Sequence, residues 1–227
     1  MKGSPAGEHR AGHGALMDSV YRRQRYIYDF TRKYYLLGRD HMLGQVRLGP
    51  DTRVIEIGCG TARNLILLGR KNPAASLYGV DASEAMLQTA SQSVARSGLQ
   101  VFLARGFAEH VSPGLFGLRE KFDAAIFSYS LSMIPDWRGA LLASANAVKD
   151  EGAIHIVDFG DLKSLWGPFA RGLRAWLRWF HVSPRDELLS VLERASRSGG
   201  CSLQILPFRY AFILKASPAA IRAILAC

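Results

Sequence analysis

Val54-Ile55-Glu56-Ile57-Gly58-Cys59-Gly60-Thr61-Ala62-Arg63-Asn64 is the stretch that decides how this chain folds. Val54 to Ile57 read as a short buried strand, Gly58 and Gly60 as a turn, and the residues from Arg63 onward as a helix. A second strand, Leu77-Tyr78-Gly79-Val80, ends in Asp81, twenty-one residues after Gly60. A strand, a glycine turn and a strand-end carboxylate at that spacing form an adenosine cradle. The backbone meets the ligand at the glycines, and the carboxylate accepts from the ribose hydroxyls. A dinucleotide fingerprint would carry a third glycine at position 63, where this chain has Arg63.

Outward from that stretch, strands and helices alternate. Strands are expected at 53–57, 76–80, 100–104, 122–128 and 153–158, and helices at 63–71, 83–96 and 138–148. Such alternation implies a parallel sheet covered on both faces, an α/β doubly wound architecture. Two closing strands, at 202–207 and 210–215, are separated only by Phe208-Arg209 and read as an antiparallel hairpin. Before them, Ser183-Pro184 with Asp186 has the form of a helix start, and Gly199-Gly200 of its stop. The expected organisation is a disordered N-terminus at 1–15, a helical cap at 16–48 and one domain at 49–227 that carries an inserted helix at 164–180.

The chain has 227 residues, 48% of them hydrophobic, enough for a substantial core. No apolar run approaches the ~18 residues of a membrane span, and residues 1–14 lack the apolar segment of a signal peptide. Cys59, Cys201 and Cys227 are too far apart to read as a metal cluster, and they suit a reducing cytosol. The formal charge of +10 points to an anionic partner: nucleic acid, membrane or an acidic substrate.

An acidic residue two places before Gly-x-Gly, with no third glycine, resembles the class I S-adenosylmethionine-dependent methyltransferases. The resemblance implies a seven-stranded, mostly parallel Rossmann-like sheet and S-adenosyl-L-methionine as cofactor. The cofactor residues expected from it are Glu56, Gly58, Cys59, Gly60, Thr61, Asn64, Asp81, Ala82, Met86, Gly106, Phe107, Ala108 and Ser128. Glu56 would orient the ammonium end of the ligand, Asp81 would hold both ribose hydroxyls, and Met86 would pack on the adenine face. One element departs from the family. Where it shows Gly-Asp-Ala after the third strand, this chain has Gly106-Phe107-Ala108, so adenine is held by stacking or by Glu109 from a shifted position. The Asp pair of metal-dependent relatives is missing after strand four, so catalysis is expected to need no metal.

Leu165 to Phe180 has a different character. At about 100° per residue, Leu165, Trp166, Phe169, Leu173, Trp176, Leu177, Trp179 and Phe180 cover one face, with Lys163, Arg171, Arg174 and Arg178 opposite. A basic face backed by Trp, Phe and Leu suits a helix lying in a membrane interface, and equally a lid over the active site. Nucleic acid is the weaker alternative, because no recognised binding motif appears.

The tyrosine- and arginine-rich segment 16–40, together with Tyr129-Ser130-Leu131-Ser132-Met133-Ile134-Pro135-Asp136-Trp137 and Val157-Asp158-Phe159-Gly160-Asp161, resembles the bacterial betaine-lipid N-methyltransferases. The likeness runs over about 16–185. It implies trimethylation of the homoserine amine of diacylglyceryl-homoserine. Tyr28, Tyr34, Tyr35 and Tyr129 would face the ammonium as it forms, and Arg32, Arg39 or Arg138 would hold the carboxylate. The partner implied is a lipid at an anionic membrane surface, and the location is cytoplasmic, peripheral on the inner membrane face. A phosphatidylethanolamine N-methyltransferase and a quinone-pathway type of small-molecule methyltransferase are the alternatives.

Overall fold

The computed structural model describes residues 36–164, 167, 171–173, 186–197 and 200–226. Its centre is a seven-stranded sheet of β1 (Arg53–Ile57), β2 (Ser76–Asp81), β3 (Val101–Arg105), β4 (Phe122–Ser128), β5 (Val148–Phe159), β6 (Cys201–Ile205) and β7 (Ala211–Ala216). The order across the sheet is β3-β2-β1-β4-β5-β7-β6. The first five strands are parallel, and β7 pairs antiparallel with both β5 and β6. This is the class I methyltransferase fold, as the sequence implied.

Alternation along each strand divides the core between two faces. Val54, Leu77, Ala124, Ile126 and Ile213 point to one face, where they meet Met42 and Leu43 of α1 (Arg39–Gln45), Leu65 and Leu68 of α2 (Arg63–Lys71), and Met86 and Ala90 of α3 (Glu84–Ser97). Ile55, Ile57, Ala125, Phe127, Ile154 and Leu214 point to the other. There they meet Leu141 of α4 (Trp137–Ala147), Leu188 and Leu192 of α5 (Asp186–Arg197), and Ile221 and Ile224 of α6 (Pro218–Ala226). All of these side chains are buried. β1 and β4 lie side by side although β2 and β3 fall between them in sequence, so the crossovers diverge at their carboxyl ends. A ligand crevice belongs at that switch point.

The structure differs from the expected elements in four places. β5 starts at Val148, directly after α4, because Val148 pairs with Phe122 across a bulge and Lys149 Nζ reaches Asp123 Oδ1 at 2.6 Å. Within the helical cap expected at 16–48, Gly38 breaks the run with φ 79° and precedes α1. The β6–β7 connection is a five-residue link containing a 3₁₀ turn at Pro207–Arg209, not a two-residue loop. Helix α6 was not expected, although Ser217-Pro218 is the same start signal as Ser183-Pro184; the Ser217 hydroxyl accepts from Ala220 N at 3.2 Å.

The expected N-terminus at 1–15, most of the 16–48 cap, and the Ser183-Pro184 cap lie outside the described residues. Of the expected helix at 164–180, residues 164, 167 and 171–173 are described; 164 is in a turn, and 167 and 171–173 are helical. Arg171, on the basic face, is exposed, and Leu173, on the apolar face, packs against the core. Among the described residues no helix is long and apolar enough to cross a membrane.

Candidate active site

The glycine turn is built around left-handed backbone. Gly58, Gly60 and Ala62 have φ of 73°, 53° and 61°. Gly58 and Cys59 donate to the Val80 carbonyl at 2.9 and 3.1 Å, which ties the end of β1 to the end of β2. Absence of a side chain at Gly58 serves the protein's own packing: a Cβ there would lie 2.6 Å from the Ser130 Cβ. That approach lets the Ser130 hydroxyl donate to the Ile57 carbonyl at 2.8 Å and locks the β4 loop over the turn. Cys59 is buried, and desolvation together with the Asp81 and Glu56 carboxylates pushes its thiol well up, so it stays protonated. Its sulfur would lie 2.8 Å from a Cβ at Gly79, so a strand glycine is needed to admit it.

Two carboxylates face this turn. Asp81 accepts from Gly60 N through Oδ2 at 2.8 Å and from Ser83 N through Oδ1 at 2.9 Å. The first bond shapes the glycine turn and the second starts α3, whose cap is completed by Ser83 Oγ accepting from Met86 N at 3.3 Å. A carboxylate oxygen can accept more than one hydrogen bond, a chemistry that suits a ribose diol. Glu56 is 1% exposed, and its Oε1 accepts from Asn64 Nδ2 at 2.6 Å. Asn64 Oδ1, in the first turn of α2, and the buried Ser128 hydroxyl, at the carboxyl end of β4, have no hydrogen-bond partner among the described residues. Buried polar groups left in this way are strongly disfavoured unless a ligand or water completes them. Thr61 and Ala82 are half-buried at the same edge.

Not every expected cofactor residue faces the crevice. Met86, expected on the adenine face, is instead a core residue on the α2–α3 side of the sheet. Gly106 donates to the Asp81 carbonyl at 3.1 Å, and Phe107 precedes the 3₁₀ turn Ala108–His110, with Ala108 packed on the second core face. Glu109 lies toward α4, where with His110, Asp136, Gly139 and Leu142 it lines an open cavity of about 420 Å³.

The carboxyl ends of β4, β5 and β7 form a second corner. Tyr129 has φ 56°, donates from its backbone to the Val157 carbonyl at 2.7 Å and donates from its hydroxyl to the Leu37 carbonyl. Its ring is buried edge-on to Phe159 at 4.7 Å, and Phe159 in turn is edge-on to Tyr210 at 5.8 Å. Burial raises the Tyr129 phenol far above its usual range, with Tyr210 and Asp158 adding to the shift and Arg39 opposing it. Arg39 is itself buried and close enough to Tyr129 for its charge to register there. Arg138, by contrast, is exposed, stacks on Trp137 and reaches Glu187 Oε1 at 2.6 Å. Tyr28, Arg32, Tyr34 and Tyr35 lie outside the described residues.

Asp158 is the group that reading the sequence did not single out. At the end of β5 it is 1% exposed, and it accepts from Ser132 N at 3.0 Å and from Phe159 N at 2.7 Å. Desolvation pushes its carboxyl up to about 6, against the lowering effect of these donors. It pins the loop after β4 to β5. An acidic residue closing an apolar strand was the available signal. Among the described residues no group of three or more metal-ligating side chains comes together.

A family model described as a methyltransferase domain matches residues 55–154, which run from β1 into β5. Residues 55–154 carry the sequence pattern of a methyltransferase domain on the class I methyltransferase fold. Carboxy-S-adenosyl-L-methionine synthase of Campylobacter hominis is 35% identical to this chain over 87 residues, covering 38% of this chain and 35% of that protein. The synthase of the same name from Campylobacter curvus is 27% identical over 143 residues, covering 63% of this chain and 56% of that protein. The chain thus spans between about a third and somewhat over half of these curated relatives. The plantazolicin methyltransferase BpumL, solved with S-adenosylhomocysteine, superposes with a TM-score of 0.62 at 13% identity, over 92% of this chain and 97% of its own. At that identity the likeness is one of fold.

Proposed function

We propose that the protein is an S-adenosylmethionine-dependent N-methyltransferase, and that its acceptor is the homoserine amine of diacylglyceryl-homoserine, trimethylated to the betaine lipid. The observation that carries the donor half is the pair of strand-end carboxylates around the glycine turn, beside the unpartnered Asn64 carbonyl and Ser128 hydroxyl. Glu56 takes the ammonium of the amino-acid end, the Asp81 oxygens take the ribose hydroxyls, and the backbone of Gly58 and Gly60 lies against the ligand. Bound there, S-adenosylmethionine supplies a methyl group on a positively charged sulfur, open to in-line displacement. Alignment is the protein's main contribution to such a step.

The acceptor half rests on the resemblance of residues 16–185 to betaine-lipid methyltransferases and on the chemistry of the β4–β5–β7 corner. Aromatic faces stabilise a nascent quaternary ammonium by about 0.5–2 kcal/mol each, and Tyr129, Phe159 and Tyr210 gather at that corner. Tyr129 shapes its wall; Tyr28, Tyr34 and Tyr35 supply the remaining faces. Arg39, buried beside Tyr129, is the carboxylate partner, whereas Arg138 is committed to Glu187. The basic surface and the 164–180 segment bring the protein to an anionic membrane, where the lipid headgroup is drawn from the cytoplasmic face.

A panel of acceptors tests this. Purified protein with S-adenosylmethionine is offered diacylglyceryl-homoserine, phosphatidylethanolamine and a quinol in mixed micelles, and the lipids are read by mass spectrometry. Mono-, di- and trimethylated homoserine lipid is the expected result. Methylation of phosphatidylethanolamine alone, or of the quinol alone, would replace the acceptor and keep the donor half. Conversion of the cofactor itself without any methylated lipid would favour the chemistry named by the Campylobacter relatives.

A further inference from the structure

Phe208 is the most exposed large apolar side chain among the described residues, at 64%. It sits at the tip of the β6–β7 connection, and the backbone there is strained: Phe208 and Arg209 are consecutive left-handed residues, with φ of 58° and 54°. Each costs roughly 1 kcal/mol in a residue with a side chain. The surrounding structure enforces that conformation. Arg209 places Nε on Asp161 Oδ1 at 2.7 Å, Nη2 on Asp161 Oδ2 at 2.9 Å and Nη1 on Glu193 Oε1 at 2.8 Å. Gly160 and Leu162 donate to the carbonyls of Tyr210 and Arg209, and a Cβ on Gly160 would lie 2.0 Å from the Arg209 oxygen. A half-buried fork of ion pairs, seated on the buried Asp161, thus holds the turn so that the Phe208 ring points into solvent.

The tip stands at the catalytic edge of the sheet. β7 starts at Ala211 opposite Phe159, so residues 206–210 lie beyond the carboxyl end of β5, alongside Tyr129 and Asp158. Leu37, exposed at 50%, is on the same rim: a Cβ on the adjacent Gly38 would lie 2.8 Å from Leu206 Cδ1 and 3.0 Å from Ile213 Cδ1. Lys163, 59% exposed, and the exposed Arg171 follow from the loop that Arg209 grips. We propose that the β6–β7 tip is a bilayer-inserting anchor, with Phe208 entering the interface of an anionic membrane and Leu37 beside it, so that the acceptor corner opens at the headgroup level. Two separate apolar side chains are far short of the ~800 Å² per partner that a stable protein interface buries, whereas a bilayer takes single aromatic rings. The net charge of +10 and the basic flank complement anionic headgroups. The occupant rests on the lipid reading above.

The experiment is sedimentation of the full chain with phosphatidylglycerol-containing vesicles, comparing wild type, Phe208→Ser and, as a control on α4, Leu142→Ser. Removing one inserting aromatic ring should weaken partitioning at least about tenfold, with S-adenosylmethionine affinity and melting temperature unchanged. Leu142→Ser should partition as wild type does. Equal partitioning of Phe208→Ser and wild type, equal losses in both variants, or no vesicle binding by wild type would each overturn the anchor. Methylation in detergent micelles separates this from the function reading: a protein that needs Phe208 for vesicles yet methylates no lipid keeps the anchor and loses the acceptor.

Discussion

The two ends of the same sheet edge are built on opposite plans. At β1 and β2 the backbone does most of the work: Gly58, Cys59, Gly60 and Ser83 donate to Val80 and Asp81, and side chains contribute two carboxylates. At β4, β5 and β7 the side chains dominate, with three edge-on aromatic rings, a buried Asp158, a buried Arg39 and the Arg209 fork. A backbone-built site suits a ligand that every member of a fold class shares. A side-chain-built corner can be rewritten from protein to protein, which suits the acceptor site proposed there.

The comparison is sharpest at Gly58. Gly58→Ala puts a Cβ into Ser130 and into a left-handed backbone, and should destabilise the protein by about 1–3 kcal/mol, read as a lowered melting temperature. Gly58→Ala with Ser130→Gly should recover part of that loss, because the second change removes the colliding atom. No recovery would mean that the turn, and not its packing against the β4 loop, demands glycine. On the acceptor side, Arg39→Leu should raise KM for the homoserine lipid about tenfold, the scale of one charge-assisted hydrogen bond, with cofactor affinity unchanged. Arg138→Leu should leave KM near wild type. A reversal of those two results would move the carboxylate site to α4.

The smallest effect concerns pH. Burial pushes the His155 imidazole down to about 4, so its contribution to stability is present above its ordinary pKa near 6.5 and is lost as pH falls toward 4. Burial pushes Asp158 up to about 6, so its contribution is present below its ordinary value near 4 and is lost as pH rises through 6. The two oppose each other across the same window. His155→Leu removes one of them. Relative to wild type, the variant should gain stability as pH falls from 6.5 toward 4, by roughly 1–2 kcal/mol in chemical denaturation, because it lacks the imidazole whose protonation favours the unfolded chain. A pH-independent difference would contradict the shift assigned to His155.

The division between the two plans also explains what could be read from the sequence. β1, α2 and β4 fall where their residues predicted, since apolar runs between turn signals are local information. The placement of the carboxylates at the glycine turn was legible because two glycines and a strand-end Asp have a fixed spacing. Met86 was misplaced because helix α3 turns it by periodicity into the core, which only the packing of α2 against α3 reveals. Asp158 was missed because its role comes from the loop after β4 closing on the end of β5, and Tyr210 because its role comes from the pairing of β5 with β7, a contact across more than fifty residues; neither has a local signature. The left-handed pair Phe208-Arg209 is a product of Gly160 and Asp161, in the loop after β5, and Glu193, on α5, closing on it.

The most direct test of the account is calorimetric titration of S-adenosylmethionine into wild type and Asp81→Ala. Wild type should bind at one site, and loss of a bidentate carboxylate should weaken binding by at least about tenfold while the variant still melts cooperatively. Undiminished binding to Asp81→Ala would contradict the placement of the donor between β1 and β2.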